Sequence, residues 1–245
     1  MSISVVIPAY NEENRIRNIL EPLTRYTEVS EIIVVCDGND RTPDVASAFP
    51  RVKVLKFSRK LGKGGAIIEG IRASTGTSVA YVDADGAIPA SEVMRLINLL
   101  GSDRKVIAAS RWVKGSDVER HEGLGNIIAG RFFHYLLFYF LGIKIKDTQC
   151  GLKCFPGTVR DDVIPHIGTT NRFFDVSFLY NCQLRGYSIC EVGIKWSHNE
   201  DTRMPIRKAV PMMFLFIIGL KIANTKGGHR FEKIYIKFKS FFRAT

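Results

Sequence analysis

Five short runs of apolar, mostly β-branched residues constrain this chain more than any other feature. They are Ser4-Val5-Val6-Ile7-Pro8, Glu31 to Val35, Val52-Lys53-Val54-Leu55, Val79 to Val82 and Val106-Ile107-Ala108-Ala109. Between them the apolar residues fall at helical spacing. Ile16, Ile19, Leu20 and Leu23 follow the first run, with Asn11 or Asn14 as N-cap; Thr42 to Ala48 follows the second; Ile67, Ile68 and Ile71 follow Gly62-Lys63-Gly64-Gly65; and a helix is expected from about Ser91 to Leu100. Strands that are apolar on both faces and alternate with helices predict an α/β chain: a Rossmann-like, mostly parallel sheet with helices on both faces. At 245 residues this is one large domain or two small ones.

In open sheets of this kind ligands sit beyond the carboxyl ends of the strands. Asp37, Asp83, Asp85 and Arg111, and the segment Pro8 to Glu12, all fall at such ends. The run Val79 to Val82 ends in Asp83-Ala84-Asp85-Gly86. Alternate residues of an extended segment point the same way, so the two carboxylates face one pocket. Hard divalent cations take oxygen ligands and keep room for substrate phosphates, which suits Mg²⁺ or Mn²⁺ carrying a nucleotide diphosphate. Taken alone, the motif reads equally as a solvated acidic turn. Gly62-Lys63-Gly64-Gly65 is neither a P-loop, since Phe57 stands where its first Gly belongs and Gly64 where Ser or Thr belongs, nor a dinucleotide loop, since Ile67 holds the last Gly position. A Gly-rich turn opening a helix still offers N–H groups to anions, so Lys63 is either a diphosphate contact or a solvated loop lysine.

Beyond Arg111 the pattern changes. Lys114 to Gly125 is polar and reads as a mobile loop, Ile127 to Leu141 as an apolar helix broken by Arg131 and His134, Leu152 to Phe155 as a strand, Phe173 to Leu184 as a helix and Ile189 to Trp196 as a last strand. Phe231, Ile234, Tyr235, Phe238, Phe241 and Phe242 recur at helical spacing among Lys233, Lys237, Lys239 and Arg243, which makes residues 206–245 a membrane-associating amphipathic segment, or a terminal helix packed on a domain of residues 1–205. The net charge of +11 asks for an anionic partner. No nucleic-acid signature is present, and bare carboxylates at the strand ends repel a phosphate backbone. No apolar run reaches the roughly 20 residues of a spanning helix, and no signal peptide is visible, because Asn11, Glu12 and Glu13 interrupt the first apolar run. Five scattered cysteines, with no second close pair beside Cys150 and Cys154, predict reduced, mostly buried thiols in a cytosolic setting and no zinc.

In this order, Val5-Val6-Ile7-Pro8-Ala9-Tyr10-Asn11-Glu12-Glu13, Asp37-Gly38, Gly62-Lys63-Gly64, Asp83-Ala84-Asp85, Ser110-Arg111 and Asp147-Thr148-Gln149-Cys150-Gly151-Leu152-Lys153 resemble a family 2 glycosyltransferase of GT-A fold. Within that family the resemblance is to dolichyl-phosphate β-glucosyltransferases and dolichyl-phosphate mannose synthases. It covers about residues 3 to 200 and implies that Pro8, Ala9, Tyr10 and Glu12 border the nucleotide base. By the same resemblance Asp37 contacts base or ribose, Asp83 and Ala84 lie by the ribose and diphosphate, Asp85 binds the metal with Asp83 beside it, Arg111 holds donor and acceptor phosphates, and Asp147 lies nearest the acceptor. Two departures stand out: Cys36-Asp37-Gly38-Asn39-Asp40 replaces the usual Asp-Asp-Gly-Ser-x-Asp, which leaves the role of Asp40 open, and Ser177 stands where relatives often carry Glu.

The activity so implied is inverting hexosyl transfer from a nucleotide diphosphate sugar, UDP-glucose before GDP-mannose, to a polyprenyl phosphate at the cytoplasmic face of a membrane, with Mg²⁺ or Mn²⁺ as cofactor. A phosphate acceptor needs cations, for which Arg111, Arg131 and Arg203 are the candidates. A lone Arg131 in an apolar helix needs a partner unless it snorkels to water. The apolar stretches Phe132 to Phe140 and Pro211 to Leu220 either line a lipid path or pack in the core. Two other readings fit the same residues: a soluble transferase acting on a sugar hydroxyl, for which Asp147 is the first base candidate, and a basic membrane-binding scaffold without chemistry.

Overall fold

The computed structural model describes residues 2–101, 104–119, 124–167, 171, 173–197, 214 and 216–222. The five apolar runs form strands β1 (Ile3–Ala9), β2 (Val29–Cys36), β3 (Val52–Lys56), β4 (Ser78–Val82) and β5 (Lys105–Ser110). Helices α1 (Arg17–Leu23), α2 (Thr42–Ser47), α3 (Lys63–Ala73) and α4 (Ala90–Ile97) lie between them. The rest of the described chain adds β6 (Asp117–Val118), α5 (Leu124–Leu141), β7 (Leu152–Pro156), the single turn α6 (Val159–Asp162), α7 (Phe174–Leu184), β8 (Ser188–Gly193) and β9 (Lys195–Trp196).

Seven strands make one sheet in the order β3-β2-β1-β4-β7-β5-β8, and β6 pairs with β9 in a separate ribbon. All the pairings of the large sheet are parallel except those of β7, which runs antiparallel to both β4 and β5. The carboxyl ends of β1, β2, β4 and β5 therefore share one edge, and the reversed β7 begins at that same edge, with Leu152 opposite Val82. The order reverses between β1 and β4, which is where an open sheet leaves a crevice for ligands.

Successive strand residues alternate between two cores. Val5, Ile7, Ile32, Val34, Ala80, Val82 and Ile107 meet α1, α2 and α4 on one face. Val6, Ile33, Val35, Val79, Tyr81 and Val106 meet α3, α5 and α7 on the other. Helix α5 buries Phe133, Leu137 and Leu141, one turn apart, and turns Tyr135, Phe138 and Tyr139 outward. Phe216, Ile217 and Leu220 join the second core, with Phe216 stacked on Phe173 at 4.8 Å, so this part of the Pro211 to Leu220 stretch is core packing. Among the described residues no helix is long and apolar enough to cross a membrane.

Some local expectations are corrected. Helix α1 has no side-chain cap at its first turn and starts on the Ile16 N–H to Glu12 carbonyl bond. Asn11 is held instead at φ 58°, where its Oδ1 accepts the Asn39 N–H at 2.9 Å. Within the polar stretch after Lys114, Asp117 and Val118 pair with Lys195 and Trp196, so the expected last strand divides into β8 and β9. Arg203 and residues 223–245, with the amphipathic tail, lie outside the described residues.

Candidate active site

The loops after β1 and β2 are laced together by short polar side chains. Asp40 Oδ2 accepts the Glu13 N–H, while its Oδ1 accepts the N–H and hydroxyl of Thr42; Thr42 Oγ1 in turn accepts the Glu12 N–H at 2.8 Å. Burial alone would raise the pKa of Asp40, but these bonds hold it below the ordinary value. This assigns Asp40 a part as the clasp between the two loops. Asp37 is buried and turned the other way: its Oδ2 accepts the N–H groups of Leu61 and Gly62 at 2.7 and 3.0 Å. Gly62 sits at φ 75°, a backbone region open to glycine, and opens α3 directly ahead of Lys63. Tyr10 is exposed at the rim, with the Lys60 ammonium 4.0 Å from its ring centroid. Pro8 and Ala9 belong to β1; Pro8 is half-buried, and Ala9 and Ala84 are buried.

At the end of β4 the Lys63 ammonium bridges both carboxylate oxygens of Asp83, at 2.7 and 3.0 Å. Burial works against the Lys63 charge, but Asp83, with Asp175 behind it, more than offsets this and raises the lysine's pKa. Asp83 is itself pushed up by burial and by Asp85, against the pull of Lys63. Glu12 is gripped by Arg15 at 2.8 and 2.9 Å, yet burial raises its pKa and the charges of Asp85 and Asp83 add to the rise. Three carboxylates thus share one electrostatic neighbourhood. Asp85 Oδ1 accepts the Ala87 N–H at 3.0 Å, which turns the residue back over its own loop.

A divalent cation fits this crowding, because carboxylates that raise one another's cost of ionisation are relieved by a hard positive centre. Among the described residues no group of three or more His, Cys, Asp or Glu is placed to hold a metal ion, so the protein itself offers at most a pair of carboxylates. The remaining ligands would then be phosphate oxygens, the open arrangement that Mg²⁺ favours.

The turn between α5 and β7 closes the other side. Arg111, at the end of β5, meets Asp147 in a bidentate pair, Nε to Oδ2 at 2.8 Å and Nη2 to Oδ1 at 3.0 Å, and donates its backbone N–H to Oδ2 as well. Asp147 is only 1% exposed. Glu191 of β8 accepts the N–H groups of Lys146 and Asp147 at 3.0 and 2.8 Å and so fixes the turn from below. The guanidinium of Arg111 lies 5.3 Å from the Trp196 ring centroid. Arg111 borders a pocket of about 560 Å³ whose lining, among the described residues, includes Trp112, Arg131, His134, Lys146 and Trp196 and no carboxylate. His134 Nδ1 lies 2.9 Å from the Ile145 carbonyl oxygen, which fixes its ring. Arg131 is exposed at the pocket wall, so burial does not impose a charged partner on it.

The crevice therefore gathers Asp37, Lys63, Asp83 and Asp85 at its centre and Arg111, Asp147 and Arg131 at one flank. Sequence reasoning missed Trp112, His134, Lys146 and Trp196 in the pocket wall, and Glu191 beneath it. The two tryptophans, the only ones in the chain, carried the one available signal.

Residues 4–166 match the family model described as glycosyl transferase family 2. The chain is 30% identical over 226 residues to the dolichyl-phosphate beta-glucosyltransferase of Homo sapiens, an alignment covering 82% of this chain and 69% of that one. It is 29% identical to the Saccharomyces cerevisiae protein of the same description, over 94% of this chain and 77% of the other. In fold it is similar to the glucosyl-3-phosphoglycerate synthase of Mycobacterium tuberculosis, solved with Mn²⁺, UDP-glucose and phosphoglyceric acid, at TM-score 0.68 and 19% identity over 91% of this chain and 79% of that one.

Proposed function

The chain belongs to glycosyl transferase family 2 and has its GT-A fold, and from that premise we propose that it transfers a hexose, with inversion, from a nucleotide diphosphate sugar to a polyprenyl phosphate at a membrane surface. The observation that carries this reading is the pocket beside the carboxylates. Among the described residues three cationic side chains, Arg111, Arg131 and Lys146, line it and no acidic one does, which suits an anionic acceptor. The relatives described as dolichyl-phosphate glucosyltransferases favour glucose as the sugar and a lipid phosphate as acceptor.

On this reading the base and ribose lie against Tyr10, Glu12 and Asp37, and the diphosphate lies by Asp83 and the Gly62-Lys63 turn. Asp85, with Asp83, would hold Mg²⁺ or Mn²⁺, and the cation supplies Lewis-acid stabilisation of charge on the leaving diphosphate. Arg111, aimed by Asp147, and Arg131 bind the acceptor phosphate. A phosphate monoester has a second pKa of about 6, so its oxygen is already an anionic nucleophile near neutral pH and needs no strong base. That agrees with the state of Asp147, both of whose oxygens are taken by Arg111. The outward Tyr135, Phe138 and Tyr139 of α5, next to Arg131 and Lys146, form the basic aromatic face expected of a protein resting on anionic lipid.

A thermal-shift panel of nucleotide sugars with and without Mn²⁺, followed by organic extraction of the product, tests the reading, since a bound ligand stabilises the native state by mass action. Labelled hexose in the organic phase is the expected result. A water-soluble product favours a hydroxyl acceptor, for which His134 in the pocket wall is the base within reach. No transfer product from any donor, with membrane binding unchanged in Asp85→Asn, would favour the scaffold without chemistry.

A further inference from the structure

We infer that Lys153 is a positioning residue that couples the donor and acceptor halves of the site, an inference that rests on the function proposed above. Lys153 sits in β7 opposite Tyr81 of β4 and Ala108 of β5, and its side chain is fully buried. Its ammonium turns back toward the preceding loop. It donates to the carbonyl oxygens of Thr148, at 2.7 Å, and Cys150, and to Asp175 Oδ1 of α7 at 2.8 Å. All three of its N–H donors are thereby used. The Tyr81 hydroxyl donates to the same Asp175 oxygen at 2.7 Å, completing the network.

What this ammonium holds is the turn 147–151, and both ends of that turn are in the site. At one end Asp147 grips Arg111. At the other the Gly151 carbonyl accepts the Asp83 N–H at 3.1 Å, and the backbone runs so close that a Cβ on Gly151 would lie 2.0 Å from Asp83 Oδ2. One buried cation therefore sets where the acceptor-side arginine and the donor-side carboxylate stand relative to each other. Removing this cation alone would leave Asp175 and two inward carbonyl oxygens without their donor, so a loss of stability is expected as well, and only the two binding constants report on position.

The test is Lys153→Met beside Lys153→Gln, which keeps an amide donor, each at temperatures where circular dichroism matches the wild type. UDP or GDP, whichever the wild type binds, is titrated by calorimetry, and KM is measured for polyprenyl phosphate. Both the nucleotide Kd and the acceptor KM are expected to rise together, about 10-fold in Lys153→Met, with Lys153→Gln recovering part of each. Binding constants within twofold of the wild type, with only the melting temperature lowered, would overturn the inference, and so would a change in one subsite alone. Should Lys153→Met not fold, Lys153→Gln decides by the same pair of constants. A wild type that binds no nucleotide counts against the proposed function; a wild type that binds, beside an unaffected variant, counts against this inference only.

Discussion

Asp147→Asn separates the two roles a buried carboxylate next to an acceptor can play. In the wild type Asp147 receives two guanidinium N–H groups and one backbone N–H, all from Arg111. Asparagine keeps one carbonyl oxygen and turns an NH₂ toward a cation. Breaking a fully buried pair by removing one partner costs about 3–5 kcal/mol. The side chain of Arg111 remains 16% exposed and borders the pocket, so water recovers part of this. The expected destabilisation is about 2–3 kcal/mol, read as a lower urea midpoint at unchanged slope. A loosened Arg111 weakens the grip on the acceptor phosphate, and a loss of about 1.4–2.8 kcal/mol there is a 10- to 100-fold rise in acceptor KM. Nucleotide affinity should stay within about threefold, because Lys153 still holds the far end of the turn, where Gly151 meets Asp83. A general base behaves in the opposite way: its loss lowers kcat by about 10²–10⁴. Initial rates against polyprenyl phosphate concentration distinguish the two. A kcat collapse of that size at constant KM would refute the positioning role assigned to Asp147.

Gly151→Ala forces its new Cβ against Asp83, so the carboxylate must leave its place on Lys63; nucleotide affinity measured by calorimetry should fall about 10-fold, with a stability loss of about 1–3 kcal/mol. Glu31 is pushed up by burial but pulled below its ordinary pKa by the Ser4 hydroxyl at 2.6 Å and by the Thr75 N–H and hydroxyl. A lowered folded-state pKa means stability that is present above 4.5 and lost as the pH falls through the folded value. Denaturation of Glu31→Gln should therefore show about 1 kcal/mol less stability than wild type near neutral pH, with the gap closing in acid; a gap that persists at pH about 2.5 would contradict the linkage. Removing divalent cations with a chelator should lower the transfer rate at least about 100-fold, and added Mn²⁺ or Mg²⁺ should restore it, as expected if a Lewis acid contributes several kcal/mol. Persistence of the rate in the chelator would remove the cation from the site.

The strands were legible because each is apolar on both faces, a pattern that only a covered sheet satisfies. The ends of those strands place Asp37, Asp83, Asp85 and Arg111 along one edge, since the loops after parallel strands gather there. The direction of β7 was not legible: Leu152 to Pro156 has the same apolar character in either sense, and only its pairing with β4 and β5 reveals the reversal. The β6 and β9 strands are two residues each, too short to carry a period. Asn11 looked like a helix cap because its side chain suits one, but the loop after β2 claimed it. The pocket wall joins residues from the loop after β5, β6, α5, the turn before β7, and β9, so no local motif announces it. Lys153 did leave a trace, a lone cation inside an apolar strand, whose meaning depends on Asp175 of a distant helix.

The reversed strand also sets how far the molecule can be remodelled. Because β7 enters the sheet straight from the turn that meets Arg111, with Leu152 in register with Val82, the segment from Asp147 to Leu152 has no slack to absorb an added or deleted residue. A slip by one position would swing Lys153 to the opposite face of the sheet and strand its charge among α1 and α4. Anyone grafting a new acceptor specificity onto this scaffold should leave that segment at its native length and vary the side chains of the pocket wall instead.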